Sequence, residues 1–241
     1  MEHQEAAMCG VIGKGVVLAV SLLMLPACGN KDDAGKDLDQ NQNQNETVLI
    51  DSEGLAGSRY YRKLDPQGEV LPVQSASWSC VLDQRSGLIW ETKSAEVGLQ
   101  HSGNTYSWFD PDVAGKEREQ GRKNGGECSQ SECDTLAYQN SLNGSKICGR
   151  VNWRVPSRAE LKSLVEKDKA QSKPMVNGFF FANTLPEGYW SKNSYQDYKV
   201  YAWGVLFSNG REGYGYKSSS LHLRLVSDSD DILAQKASET Q

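Results

Sequence analysis

Apolar residues fall along this chain in short groups separated by polar stretches, and the spacing inside each group predicts an element. Leu161, Leu164 and Val165 recur at helical intervals, which predicts a short amphipathic helix over about 158–167. Its start is well marked. Pro156 pushes the residue before it out of helical φ/ψ, and Ser157 has Glu160 three residues on, a capping box that satisfies two otherwise orphaned backbone N–H groups. A second helix opens at Asp134 as N-cap and runs to about Asn143, with Leu136, Ala137 and Leu142 on its buried side. Elsewhere the period is two. Trp203, Val205 and Phe207 alternate on one face of a strand from Tyr201 to Phe207, and Leu221, Leu223 and Leu225 do so from Leu221 to Val226. Ser208-Asn209-Gly210 turns the first of these into a strand from Glu212 to Lys217, and Tyr189 to Lys192 forms another. Earlier, Val81–Leu82 and Leu88–Thr92 flank Asp83-Gln84-Arg85-Ser86-Gly87, a hairpin with Gly87 where φ must be positive. Two helices among many short strands predict an α+β domain of about 170 residues.

The two ends break this pattern. Val11 to Pro26 is mostly apolar, with Lys14 near its front; it is too short for a comfortable membrane span and ends in small residues, so 1–27 reads as an export signal. Glu2 and Glu5 are unusual before such a segment, which leaves Met1 and Met8 both open as the start. Leu25-Pro26-Ala27-Cys28 resembles a bacterial lipobox, in which Cys28 becomes the lipidated first residue. Gly29 rather than Asp follows it, which by resemblance to such lipoproteins implies the outer membrane, on its periplasmic or surface side. Residues 28–57, with the run Gln40 to Asn45, cannot bury a core and read as a disordered tether. About 30 such residues would span roughly 30 Å as a flexible coil. The acidic, serine-rich stretch 227–241 reads as a disordered tail, which leaves 58–226 for the domain.

Within 58–226, Cys80, Cys128, Cys133 and Cys148 are an even set in an exported chain, so two disulfides are expected. Cys80–Cys128 with Cys133–Cys148 would staple the long loop 94–132 to the hairpin and is preferred; Cys128–Cys133 with Cys80–Cys148 stays open. A zinc site is disfavoured by the oxidising compartment. Outside the signal the histidines are His101 and His222, which no local motif supports in a triad or metal site. His222 is expected to be solvated, and Asp110 and Asp112, flanking Pro111, read as a solvated turn. No catalytic residue, metal ligand or cofactor is assigned. With 26 basic and 31 acidic residues the net charge is −5, so no global field draws polyanions and nucleic acid is not an expected partner. One local grouping stands out. Lys192, Lys199, Arg211 and Lys217 fall among Tyr195, Tyr198, Tyr201, Tyr214 and Tyr216, and tyrosine with basic side chains suits a glycan or protein contact surface. Trp153 is expected in the core and Arg154 in a structural ion pair.

Trp153-Arg154-Val155-Pro156-Ser157-Arg158-Ala159-Glu160-Leu161 resembles the signature of the Legionella collagen-like protein C-terminal domain family. Trp78 to Asp83, Ser86 to Glu91, Cys133 to Tyr138, Ile147 to Gly149, Tyr189 to Ser191 and Trp203 to Phe207 are similar to further pieces of that family, in order. The resemblance implies a fold related to C-type-lectin-like and formylglycine-generating-enzyme-like domains. It also implies an adhesion-type binding role, toward sulfated polysaccharides or an envelope or host protein. The collagen-like Gly-x-y stalk of the namesake is absent here. The catalytic cysteines of formylglycine-generating enzymes lie late in their fold, whereas every cysteine here precedes residue 149, so that activity is not carried over. An enzyme of that fold and a purely structural envelope protein are the alternatives.

Overall fold

The computed structural model describes Gly57, residues 59–169 and residues 173–230. All belong to the second of the two units into which the chain divides, Thr47–Gln241. The expected export signal, Cys28 and nearly all of the tether lie outside the described residues, as does 231–241.

In order the chain forms β1 (Tyr61–Leu64), β2 (Cys80–Asp83), β3 (Leu88–Glu91), β4 (Tyr106–Ser107), α1 (Glu117–Gln120), α2 (Thr135–Ser145), α3 (Arg158–Ser163), β5 (Gly188–Ser194), β6 (Tyr201–Leu206), β7 (Arg211–Tyr216), β8 (Ser220–Leu221) and β9 (Val226–Asp228). Short 3-10 turns sit at Ile147–Gly149 and Lys167–Lys169. The strands make three antiparallel sheets, β1-β2-β3-β9, β4-β8 and β5-β6-β7, so the fold is α+β as the periodicity predicts. The β2–β3 hairpin turns where expected, with Gly87 at φ 65° and the Asp83 carboxylate accepting the Arg85 N–H at 3.0 Å.

The four-stranded sheet is buried on both faces. Side chains alternate along a strand, so Tyr61, Val81, Leu88 and Trp90 enter one apolar cluster with Leu161, Leu164 and Phe207. Leu64, Cys80 and Ile89 enter the other, with Tyr138, Leu142 and Trp153. Glu91 shares the Ile89 side and has no exposed surface. Its carboxylate pairs with Lys93 Nζ at 2.7 Å, accepts the Leu225 N–H at 3.0 Å and accepts the Tyr138 hydroxyl. Arg224, also fully buried, donates to the Glu91 carbonyl at 2.6 Å and to the Thr184 hydroxyl at 2.7 Å. Burial pulls the Lys93 ammonium below its ordinary value against the pull of Glu91, and it pushes the Tyr138 hydroxyl well up. Nothing in the alternation of apolar positions announces this network.

The last strand overturns the expected end of the domain. β9 lies beside β3, with Trp90 opposite Val226 and Leu88 opposite Asp228, so order runs past 226. The polar residues there find partners within the chain. Arg154 bonds Asp228 at 3.0 Å, Arg150 bonds Asp230, and Ser227 donates to Asn152. Composition alone reads such residues as tail. The predicted strand Leu221–Val226 divides into β8 and β9, with Leu223 and Leu225 buried between them.

Both capping motifs form. Asp134 accepts the Ala137 N–H at 2.9 Å; Ser157 accepts the Glu160 N–H at 3.2 Å while Glu160 accepts the Ser157 N–H at 2.7 Å. Helix α3 is shorter than predicted. The Leu164 and Val165 N–H groups bond three residues back and Glu166 bonds the Met175 carbonyl, which draws the chain off the helix axis. Trp153 is buried, and the Asn143 side chain clamps its backbone from both sides. The disulfides are Cys80–Cys148 and Cys128–Cys133, not the preferred pairing. Cys80 and Cys148 meet inside the second apolar cluster, whereas Cys128 closes a local loop with Cys133. His222 is buried rather than solvated, its Nδ1 2.9 Å from the Asn104 carbonyl, because its backbone pairs with Gly188 and Trp190 of β5.

Removing the Glu91 charge leaves a buried ammonium unanswered. Glu91→Gln is expected to destabilise the domain by about 3–5 kcal/mol in chemical denaturation, against about 1 kcal/mol for Ser157→Ala. A change within about 0.5 kcal/mol for Glu91→Gln would place that carboxylate in water instead.

Candidate functional site

The three-stranded sheet carries the candidate site. In its register Tyr201 faces Tyr216, Trp203 faces Tyr214 and Val205 faces Glu212. Tyr201, Trp203 and Val205 share one side of β6 by the two-residue period. Helix α3 covers only the Val205 end of that side, where Leu161 and Leu164 pack with Val205 and Phe207. The helix begins at Arg158, whose guanidinium sits 4.4 Å above the Trp203 ring. Beyond that point the face is lined by rings. Tyr195, just past β5, stacks on Tyr214 at 4.5 Å and meets Trp203 at 5.2 Å. Tyr201 packs on Tyr216 at 4.3 Å, and Tyr198 lies parallel to Tyr195 at 6.3 Å.

Six aromatic rings therefore touch in one patch, and Tyr198, Tyr214 and Tyr216 are 66%, 56% and 55% exposed. Cross-strand aromatic pairs stabilise the sheet beneath them, yet exposed apolar area of this extent is uncommon unless something binds it. Gly215 lies between Tyr214 and Tyr216 on the opposite face, and a Cβ there would stand 3.3 Å from the Trp190 ring.

The expected residues divide. Tyr195, Tyr198, Tyr214 and Tyr216 come together, whereas Lys199 turns its ammonium toward the loop after β4, its Nζ 3.4 Å from the Ala114 carbonyl and close enough to Lys217 to act on its charge. Arg211 is exposed but lies at the far end of β7, opposite Leu206. Lys217 does not belong to the face. It is 1% exposed and its ammonium lies 3.9 Å over the Trp108 ring and donates to the Glu119 carbonyl, because position 217 alternates away from Tyr214 and Tyr216. Trp203, expected on a buried face with Val205, is half-buried, because the helix stops short of it. Arg158 is a contributor that the sequence reading missed, and Trp203, placed on its face of β6 by the two-residue period, was not assigned to the site.

Arg154, Ser157 and Glu160 are structural. Arg154 bonds both Glu160 oxygens, at 2.9 and 2.8 Å, as well as Asp228, and these carboxylates hold its guanidinium charged. Among the described residues no group of three or more His, Cys, Asp or Glu could hold a metal ion. Cys80, Cys128, Cys133 and Cys148 are all bridged, which leaves no free thiol nucleophile among the described residues. Nor is any described helix long and apolar enough to cross a membrane.

A family model described as the Lcl C-terminal domain matches residues 79–227. The match spans β2 to all but the last residue of β9 and includes every ring of the aromatic face, while β1 precedes it. No curated protein and no solved structure matches the chain.

Lys217 gives this half of the molecule a pH signature. Burial moves its ammonium from an ordinary 10.5 down to about 8. Between those values the unfolded chain holds the proton that the folded chain has released, so stability contributed at this position rises with pH and the penalty is full below 8. In urea denaturation, the wild-type chain should gain on a Lys217→Met variant as pH is raised from 8 toward 10. A difference that stays flat would show a solvated ammonium.

Proposed function

The chain belongs to the Lcl C-terminal domain family, and on that premise we propose that it is a non-enzymatic binding domain of the bacterial cell envelope that holds a glycan against the aromatic face of β5, β6 and β7. The observation that carries this reading is the uncovered half of that sheet, where Tyr198, Tyr214 and Tyr216 are more than half exposed. Sugar rings present flat C–H faces to aromatic rings and hydroxyls to phenol oxygens, and tyrosine supplies both contacts with little conformational entropy to lose. Arg158 stands at the margin, so any charge preference is local; the net charge of −5 provides no long-range pull on a polyanion. Membership supports a secreted or surface-associated binding-type domain. In this reading Cys28 carries the lipid, and residues 28–57 hold the domain clear of the outer membrane. The bridged cysteines favour binding over the alternative enzyme of the formylglycine-generating type.

A panel of sulfated and neutral glycans tests the reading. At least one class should bind the wild-type chain, and Tyr198→Ala and Tyr214→Ala should each weaken it by about tenfold or more while melting temperature nearly holds. Failure of every glycan to bind, or undiminished binding by the double variant, would overturn it.

A further inference from the structure

A second feature, independent of the aromatic face, is a cavity of about 270 Å³ where four segments meet. The loop after β4 supplies Phe109, Asp110 and Asp112; the first turns of α2 supply Leu136; the segment before α3 supplies Val155; β5 supplies Lys192.

The walls are held in place by bonds that do not depend on a ligand. The Thr135 hydroxyl donates to the Phe109 carbonyl and accepts the Phe109 N–H, both at 2.9 Å, which fastens the loop to the start of α2. The Gln139 carbonyl oxygen accepts the Val155 N–H at 3.3 Å, and the Trp108 indole donates to the Ser191 carbonyl at 2.9 Å. A site built this way loses little freedom when it fills.

Its charges are of both signs, and the two exposed ones are uncommitted. Arg154 also reaches the cavity, but Glu160 and Asp228 already occupy its guanidinium. Lys192 is exposed and makes no ion pair with another described residue, and the same holds for Asp112. Asp110 accepts the Asp112 N–H at 2.9 Å, which sets the turn that presents both carboxylates. Cavities for drug-sized ligands run to about 300–1,000 Å³, so this one suits a smaller molecule.

We propose that this cavity binds a small zwitterion with an apolar side chain, of the size of a free amino acid or dipeptide. Its ammonium meets the Asp110–Asp112 turn, its carboxylate meets Lys192, and its side chain lies against Phe109, Leu136 and Val155. A ligand lacking either charge leaves one wall unanswered, which makes selectivity the direct readout.

Isothermal titration calorimetry on the full chain tests this with L-phenylalanine and leucyl-leucine, against N-acetyl-L-phenylalanine and L-phenylalanine amide. At least one zwitterion should bind, and each capped form should bind about tenfold or more weakly than L-phenylalanine. Lys192→Ala and Asp112→Asn should each cost a similar factor; both positions are exposed, and an unchanged melting temperature confirms folding. Tyr198→Ala should leave zwitterion binding intact, which separates this site from the glycan face. The proposal is overturned if neither zwitterion binds, if the capped forms bind equally well, or if Lys192→Ala and Asp112→Asn bind as the wild-type chain does.

Discussion

A carboxylate with no exposed surface must be answered from every side, and Glu91 is answered by three parts of the chain. Lys93 lies two residues past the end of β3, Tyr138 comes from α2, the Leu225 N–H comes from the segment before β9, and Arg224 beside it bonds the Glu91 backbone carbonyl while reaching to Thr184. Burying such a group without these partners would be prohibitive, so its position dictates where the C-terminal segment returns. That return sets the candidate site. Two residues before Arg224, His222 exchanges backbone hydrogen bonds with Gly188 and Trp190 of β5, and β5 is the strand from which the aromatic sheet is built.

The aromatic face owes its extent to where a helix starts. Pro156 and the Ser157–Glu160 capping box begin α3 at Arg158, and the chain before it is extended. Leu161 and Leu164 then cover Val205, and the cover ends at the Arg158 guanidinium over Trp203. A helix beginning one turn earlier would lie across Trp203 and Tyr214. The motif most visible in the sequence thus marks the edge of the surface that remains open.

What was legible follows from local physics. The capping boxes, the Asp83–Gly87 turn and the alternation in β6 each depend on residues within a few positions, and each forms as the spacing predicts. What was not legible depends on partners far along the chain. Nothing within a few positions of Glu91, Lys93 or Arg224 marks them for burial, and Tyr138 and Leu225 reach them from far along the chain. Ser227 and Asp228 read as tail until Asn152 and Arg154 hold them. The cysteine pairing turned on which side of β2 faced the end of α2, and spacing carries no information on that. In the candidate site, tyrosines 195, 198, 214 and 216 were legible as a group, while Lys217 was drawn in by nearness in sequence although its side of the strand faces Trp108.

In the proposed function the open rings beyond Arg158 are the surface that a ligand covers. Light-induced nuclear polarisation of tyrosine, which reports ring accessibility residue by residue, tests it directly when recorded with and without a bound glycan. The account predicts strong signals from Tyr198, Tyr214 and Tyr216, silence from the buried Tyr61, Tyr106, Tyr138 and Tyr189, and quenching of the first group when the glycan is added. A bound glycan that leaves the Tyr198, Tyr214 and Tyr216 signals unchanged would contradict it.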